Sequence, residues 1–174
     1  AAGVSAGIKY PDRKDVAILM SDPPATAAAM FTTNAVAAAP VRLGRERLAD
    51  GRLRAVAVNT GYANACTGER GMRDARSMAR MAAGYLNLPE NEVLVCSTGV
   101  IGQPLPMERI DKGLQRAAKE LSPGGAADAA EAILTTDTVA KQAAITFRAE
   151  GVPITLGGMC KGAGMIELHM ATML

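Results

Sequence analysis

One short apolar run decides the fold, and it reads Leu53-Arg54-Ala55-Val56-Ala57-Val58-Asn59. A valine-rich run of this length, followed by polar and glycine residues, is typical of a buried strand. After a loop, residues 71–86 place apolar side chains at helical spacing and predict an amphipathic helix that Pro89 helps to end. Residues 92–96 then predict another strand. The centre of the chain is therefore expected to be strand, helix, strand.

Two further apolar runs precede this centre, at residues 15–21 and 25–33, with Asp22-Pro23-Pro24 between them. Because proline has no N–H to donate to a strand ladder, these prolines are expected in the turn of an antiparallel pair. The other upstream predictions are an edge strand or loop at residues 1–8 and a short helix at residues 45–50 that Gly51 ends.

The downstream part is predicted to hold two helices and a hairpin. Residues 106–121 have an apolar face at helical spacing, and residues 126–134 form an alanine-rich helix. Residues 143–148 and 152–156 can pair through the turn Glu150-Gly151. Strands and helices do not alternate strictly, so we predict an α/β chain of the α+β type, a layered helix–sheet sandwich. No linker or repeat interrupts it, and residues 1–174 are expected to form a single domain.

Composition excludes several classes of function. The net charge of +2, without a long basic run, argues against a nucleic-acid partner, and a cluster of arginines near Gly51 is expected to be a solvated loop. No apolar stretch is long enough to span a membrane. The cysteines number 3 and are widely spaced, which argues against disulfides and for a reducing, cytoplasmic location. His169 is the single histidine, so no metal site is expected.

Three loops carry residues that suit ligand binding. The first is Thr60–Gly68, the second contains Ser97-Thr98-Gly99, and the third is Thr135-Thr136-Asp137-Thr138. Backbone amides at a strand end such as Thr98-Gly99 can point at an anion, because glycine tolerates either sign of φ. From the residues alone, a long turn explains the first loop equally well, an ordinary turn is preferred for the second, and hydroxyl capping is the commoner use of the third.

The closing stretch combines a glycine-rich turn around Lys161 with Ala171-Thr172 near the chain end. It matches neither a dinucleotide fingerprint nor a P-loop, because the third glycine and the glycine before the lysine are missing. Cleavage before Thr172 would release an α-amine with a pKa of about 8, which could take the threonine hydroxyl proton during nucleophilic attack. From the pattern alone, a plain buried apolar segment is the favoured explanation of residues 170–174.

Together these stretches resemble one family, the bifunctional ornithine acetyltransferase/N-acetylglutamate synthases of arginine biosynthesis. The likeness covers nearly the whole chain and rests on four motifs in order. They are Asn59-Thr60-Gly61-Tyr62-Ala63-Asn64-Ala65-Cys66-Thr67-Gly68, Ser97-Thr98-Gly99-Val100-Ile101-Gly102, Thr135-Thr136-Asp137-Thr138, and the stretch from Gly157-Gly158-Met159 through Lys161-Gly162-Ala163-Gly164-Met165 to Met170-Ala171-Thr172-Met173-Leu174.

The resemblance implies a self-processing ornithine acetyltransferase/aminopeptidase-like fold and a precursor that cuts itself between Ala171 and Thr172. Its α chain and a β chain starting at Thr172 would form an α2β2 assembly. Thr172 would be the nucleophile that carries acetyl from N-acetylornithine to glutamate. Thr98 and Gly99 would supply the oxyanion hole, and Thr135 and Lys161 would contact substrate. No cofactor is implied, although some members accept acetyl-CoA as a co-substrate.

Three readings of the function stay open at this point. The first is the acetyl transfer just described. The second is a related self-processing enzyme, either an acyltransferase of secondary metabolism or an aminopeptidase. The third is a subunit without chemistry of its own, which serves only as a structural or binding module. Because Met173 and Leu174 follow Thr172, the chain is expected to be part of a precursor.

Overall fold

The structure is a computed structural model that describes residues 1–162 and 174. In this part of the chain there are six strands and four α-helices. In chain order they are β1 (Ala2–Val4), β2 (Val16–Thr26), α1 (Ala39–Arg47), β3 (Arg52–Tyr62), α2 (Gly68–Leu86), β4 (Val93–Val100), α3 (Met107–Lys119), α4 (Ala126–Ala132), β5 (Lys141–Ala149) and β6 (Val152–Cys160).

The central sheet has four strands in the order β1-β2-β3-β4. The pairs β1/β2 and β2/β3 are antiparallel, whereas β3 and β4 are parallel and are joined through α2. A parallel pair needs a crossover connection, which the predicted helix provides. In its register Thr60 lies opposite Thr98, and Gly61 lies opposite Gly99. The carboxyl ends of β3 and β4 therefore bring together two of the loops picked out from the sequence.

Helices cover both faces of this sheet. On one face Val16, Ile18 and Ala57 pack in a core with residues of α2 and α3. On the other face Ala17 and Val58 pack against α4. Neighbouring residues thus face opposite ways, as the two-residue period of a strand requires. The predicted layered helix–sheet sandwich is confirmed.

The predicted antiparallel pair at residues 15–21 and 25–33 is wrong. A single strand, β2, passes through Pro23 and Pro24, and both of its parts pair with β3. Its register shifts between Met20 and Ala25, so the prolines lie in a bulge where the ladder needs no N–H from them. The prolines are kept out of the ladder as expected, but by a bulge and not by a turn.

The arginine-rich region also differs from its prediction. The helix there begins earlier than residue 45, because α1 starts at Ala39 with Pro40 in its first turn, where a missing N–H costs nothing. A short 3-10 turn at Leu48–Asp50 then leads to Gly51, which has a left-handed φ of 66°. Arg47 is not solvated, because its guanidinium is buried. It donates one hydrogen bond to the backbone carbonyl of Glu90 and another to the carboxylate of Glu90, the second at 2.6 Å.

The hairpin of β5 and β6 is confirmed, with its turn at Glu150 and Gly151. It forms a separate two-stranded sheet whose side chains are mostly exposed. The exposed large apolar side chains on it are Ile145, Phe147, Val152, Ile154 and Leu156. No helix within residues 1–162 is long and apolar enough to cross a membrane.

Candidate active site

A cavity of about 660 Å³ opens at the carboxyl ends of β3 and β4. Segments that are distant in sequence meet there, because the parallel pair ends at one sheet edge and the loops after β1, α4 and β6 reach the same edge. The main lining residues are Lys9, Tyr10, Arg13, Asp15, Thr60, Gly61, Thr98, Gly99, Ile101, Thr135, Thr136 and Lys161.

The floor of the cavity is bare backbone. Gly61 and Gly99 face each other across the parallel pair, with φ angles of 110° and 134°. A Cβ on Gly99 would lie 2.3 Å from the carbonyl carbon of Gly61, which is closer than a Cβ atom can approach a backbone atom. The position therefore requires glycine for both its φ and its space.

A buried lysine and a buried threonine lie in contact in the cavity wall. The Lys161 ammonium donates a hydrogen bond to Thr98 Oγ1 at 3.1 Å, and the two residues are 4% and 6% exposed. Burial lowers the pKa of Lys161, while the nearby charge of Asp137 opposes that shift. A lysine ammonium has three donors and a threonine hydroxyl can accept and donate at once. The pair therefore offers N–H and O–H donors suited to an anionic group.

Asp137 ties the separate parts of the site together. Its Oδ1 accepts hydrogen bonds from the backbone N–H of Gly162 at 2.7 Å and from Lys141 Nζ at 2.5 Å. Its Oδ2 accepts a longer bond, 3.4 Å, from the N–H of Thr135. Burial alone would raise the pKa of this carboxyl, but these bonds outweigh burial and lower its pKa to about 2. The carboxylate thus fixes the turn after Lys161 to the loop that carries Thr135.

Replacing Asp137 is expected to loosen this junction. Asp137→Asn keeps the size of the side chain but removes the charge, and we expect it to destabilise the protein by about 1–3 kcal/mol. Because the folded-state pKa lies below the ordinary value, the stabilisation is present above about pH 4 and is lost as pH falls towards 2. The melting temperatures of the two proteins should therefore converge on acidification. Asp12→Asn, at an exposed position, is the control. A difference in melting temperature between wild type and Asp137→Asn that stays constant as the pH falls would contradict the stabilising role of the Asp137 charge.

A second buried carboxylate shapes the opposite wall. Asp15 accepts hydrogen bonds from the backbone N–H groups of Ala6 and Ile8, both at 2.6 Å. Burial raises its pKa, and the two N–H donors partly offset this effect. The carbonyl of Asp15 accepts the N–H of Thr60 at 2.8 Å. These bonds hold the loop between β1 and β2 against the end of β3.

Four of the predicted site residues, Thr98, Gly99, Thr135 and Lys161, line this one cavity. Their roles in catalysis and substrate binding stay predictions. Ala171 and Thr172, the predicted cleavage pair and nucleophile, lie outside the described residues. Of the loop Thr60–Gly68, only Thr60 and Gly61 reach the cavity, whereas Asn64 and Thr67 bond to each other and Asn64 also bonds to the start of α2.

Sequence reasoning missed several other residues of the site. The sequence leaves Asp137 open between ligand binding and local capping, whereas in the structure it joins distant segments. Lys9, Tyr10 and Arg13 gave no signal, because their position at the cavity depends on the pairing of β1 with β2. Gly61 belonged to a glycine-bearing motif, and its register opposite Gly99 could have been suspected once β3 and β4 were aligned as parallel strands.

Comparison with known proteins places this arrangement in a family. The arginine biosynthesis bifunctional protein ArgJ of Caldanaerobacter subterraneus is 53% identical over 174 residues, which are 100% of this chain and 43% of that protein. The ArgJ protein of Symbiobacterium thermophilum is 56% identical over 176 residues, with 100% and 44% covered. The chain thus spans less than half the length of these relatives.

Solved structures agree with the sequence relatives. The crystal structure of ArgJ from Bacillus halodurans superposes with a TM-score of 0.90 at 43% identity, covering 98% of this chain and 89% of that one. Ornithine acetyltransferase from Mycobacterium tuberculosis, solved in complex with ornithine, gives a TM-score of 0.87 at 43% identity, with 95% and 89% covered. The ArgJ family model matches residues 1–174, and the chain belongs to the ArgJ family.

Proposed function

We propose that the whole protein is an acetyltransferase of arginine biosynthesis, which moves acetyl from N-acetylornithine to glutamate, and that this chain is most of its α chain. The names of the relatives support the pathway, and the ornithine complex supports the substrate class. The observation that carries the proposal is the buried Lys161–Thr98 contact beside the bare backbone at Gly99. This arrangement offers N–H and O–H donors, with no side chain on the floor to fill the space.

The nucleophile is made by cleavage of the Ala171–Thr172 peptide bond in the precursor. The new α-amine of Thr172 has an ordinary pKa of about 8, so a large fraction is neutral near pH 8 and can accept the hydroxyl proton. The backbone N–H of Lys161 donates to the carbonyl of Leu174 at 3.0 Å. Leu174, which comes two residues after Thr172 in the sequence, is thus bonded to a residue that lines the cavity, and this supports Thr172 as the nucleophile.

The transfer proceeds in two balanced halves. Thr172 Oγ attacks the acetyl carbonyl, its proton passes to the α-amine, and the oxyanion accepts hydrogen bonds from Thr98 O–H and Gly99 N–H. The acetyl C–N bond breaks, the proton moves to the departing amine, and ornithine leaves an acetyl-threonine ester. The neutral amine of glutamate attacks this ester, the C–O bond breaks, and the proton returns to the threonine oxygen.

Substrate is held by Lys161 and Thr135. The Lys161 ammonium binds the α-carboxylate that N-acetylornithine and glutamate share, because a compact point charge suits a carboxylate that enters and leaves. Thr135 lines the same cavity and adds a hydroxyl, with its backbone position set by Asp137. No bound cofactor takes part, and acetyl-CoA is proposed only as an alternative acetyl donor that enters as a co-substrate.

The partner is a β chain that begins at Thr172, in an α2β2 assembly located in the cytoplasm. The hairpin of β5 and β6 supports a partner, since a two-stranded sheet with exposed apolar side chains is marginal in water and such patches mark interaction surfaces. More than half of each relative's length lies beyond the part that this chain matches, which supports a partner segment from the same polypeptide. The free thiols of Cys66, Cys96 and Cys160 support a reducing compartment.

The test is to express the full-length protein, purify it through this chain and sequence the second chain that follows it. We expect that chain to begin at Thr172. The complex should convert N-acetylornithine and glutamate into ornithine and N-acetylglutamate without added acetyl-CoA. Peptide amides are assayed in parallel, because their hydrolysis without acetyl transfer would support the aminopeptidase reading and overturn this one.

A further inference from the structure

Two cations at the mouth of the cavity, Lys9 and Arg13, form no ion pair with any other residue within 1–162. Lys9 and Arg13 lie on the loop between β1 and β2, and their charged groups lie 5.3 Å and 5.8 Å from the centre of the Tyr10 ring. Among the described residues, neither has an acidic partner within ion-pair distance. Lys14 on the same loop differs, because Asp128 and Glu131 bind its ammonium at 2.6 Å and 2.7 Å.

The loop holds these cations next to the floor of the cavity. The carboxylate of Asp15 anchors the loop through Ala6 and Ile8, and Arg109 donates to the carbonyl of Gly7 at 2.6 Å. Lys9 Cβ packs so closely on Gly61 that a methyl group built there would lie 3.1 Å from it. Gly61 in turn faces Gly99. The Lys9 side chain therefore starts beside the backbone where acetyl transfer is proposed.

The balance of charge around the cavity favours an anion with two carboxylates. Asp15 is the one acidic residue among its described lining residues, and both of its oxygens already accept backbone N–H groups. Lys161, buried against Thr98, accounts for one carboxylate of a substrate. Lys9 and Arg13 leave a second positive region at the solvent side. Both cations lie over the Tyr10 ring, and this contact reduces the freedom of both long side chains.

We propose that Lys9 and Arg13 form a second carboxylate subsite, which binds the side-chain carboxylate of a dicarboxylic amino acid acceptor. This rests on the proposed function. The α-carboxylate of the acceptor is assigned to Lys161 and its side-chain carboxylate to Lys9 and Arg13, since all three residues line the same cavity.

The experiment compares the full-length wild-type enzyme with Lys9→Ala, Arg13→Ala and the double variant. We expect the double variant to lose about tenfold or more in kcat/KM for glutamate, with the KM for N-acetylornithine unchanged or lower. With glutamine, which lacks the side-chain charge, kcat/KM should stay within about twofold of wild type. Arg13→Lys keeps the positive charge, so its kcat/KM for glutamate should be closer to that of wild type than to that of Arg13→Ala. Arg73→Ala, an exposed arginine on α2, is the matched control.

Direct binding separates this proposal from the proposed function. Calorimetric titration of glutamate is expected to give a higher Kd for the double variant than for wild type, whether or not acetyl transfer is observed. An equal loss in kcat/KM for glutamate, glutamine and N-acetylornithine would overturn the subsite, since it would indicate a general effect on the active site. Unchanged glutamate kinetics and binding would also overturn it. So would a loss confined to acetyl-CoA, which would assign the cations to phosphate groups.

Discussion

Thr172→Ala is expected to leave the polypeptide as one uncut chain and to reduce acetyl transfer by at least about 10⁴-fold. The substitution removes the hydroxyl that would attack the preceding peptide bond and later carry the acetyl group. Self-cleavage and acetyl transfer are therefore both expected to be lost. Gel electrophoresis and intact mass measure cleavage, and release of ornithine from N-acetylornithine measures transfer. The described residues that line the cavity are all retained in this variant, so we expect the fold to be retained.

Thr172→Ser provides the control for this result. It keeps an oxygen nucleophile at the same place, and we expect it to be cleaved and to retain measurable activity. A Thr172→Ala protein that stays uncut yet transfers acetyl at the wild-type rate would disprove the assignment. Cleavage of Thr172→Ala at another peptide bond, with activity preserved, would move the nucleophile to the new chain start.

Gly99→Ala is expected to have the second largest effect. The new methyl group would lie 2.3 Å from the carbonyl carbon of Gly61 and 2.7 Å from the backbone N of Tyr62, and the φ of 134° suits no side chain. The strands β3 and β4 would have to separate at the cavity floor. We expect a loss of about 2–4 kcal/mol in the free energy of unfolding and at least about 10²-fold in kcat.

A nearby glycine separates steric conflict from backbone strain. Gly102 also has a positive φ, 79°, but a methyl group there would meet nothing within 4 Å. Gly102→Ala should therefore cost about 1 kcal/mol and leave kcat close to wild type. Urea unfolding and acetyl-transfer kinetics on both variants check the comparison. Equal effects of the two substitutions would show that the close approach of Gly61 and Gly99 has no part in catalysis.

The regular elements of the fold were largely predictable because their signals are local. The strand β3 and the helix α2 have the expected apolar periods, and the hairpin has its glycine turn. The error at Pro23-Pro24 shows the limit of such signals, because a proline pair is equally compatible with a turn and with a bulge in a strand. Only the partner strand decides between them, and pairing with β3 is a contact between distant residues.

The candidate site was predictable to the extent that motifs carry it. Thr98, Gly99, Thr135 and Lys161 were selected through the family resemblance, and the structure brings them to one cavity. The connecting residue Asp137 was not recognised, since its hydrogen bonds to Gly162 and Lys141 depend on how the chain returns after the hairpin. Lys9 and Arg13 at the mouth were not recognised either, because their position at the cavity depends on the pairing of β1 with β2.

The glycine floor has a consequence for how the substrate range of such an enzyme can change. A surface made of main chain keeps its shape and polarity through most substitutions, and at Gly99 any larger residue collides with the neighbouring strand. Substitutions that survive must therefore fall on the walls and the mouth, where Thr135, Lys9 and Arg13 contribute side chains. Under the proposed function, handling of the acyl group falls to the glycine floor and choice of the acceptor to the walls and the mouth, so mutation could change the acceptor while the transfer chemistry is inherited intact.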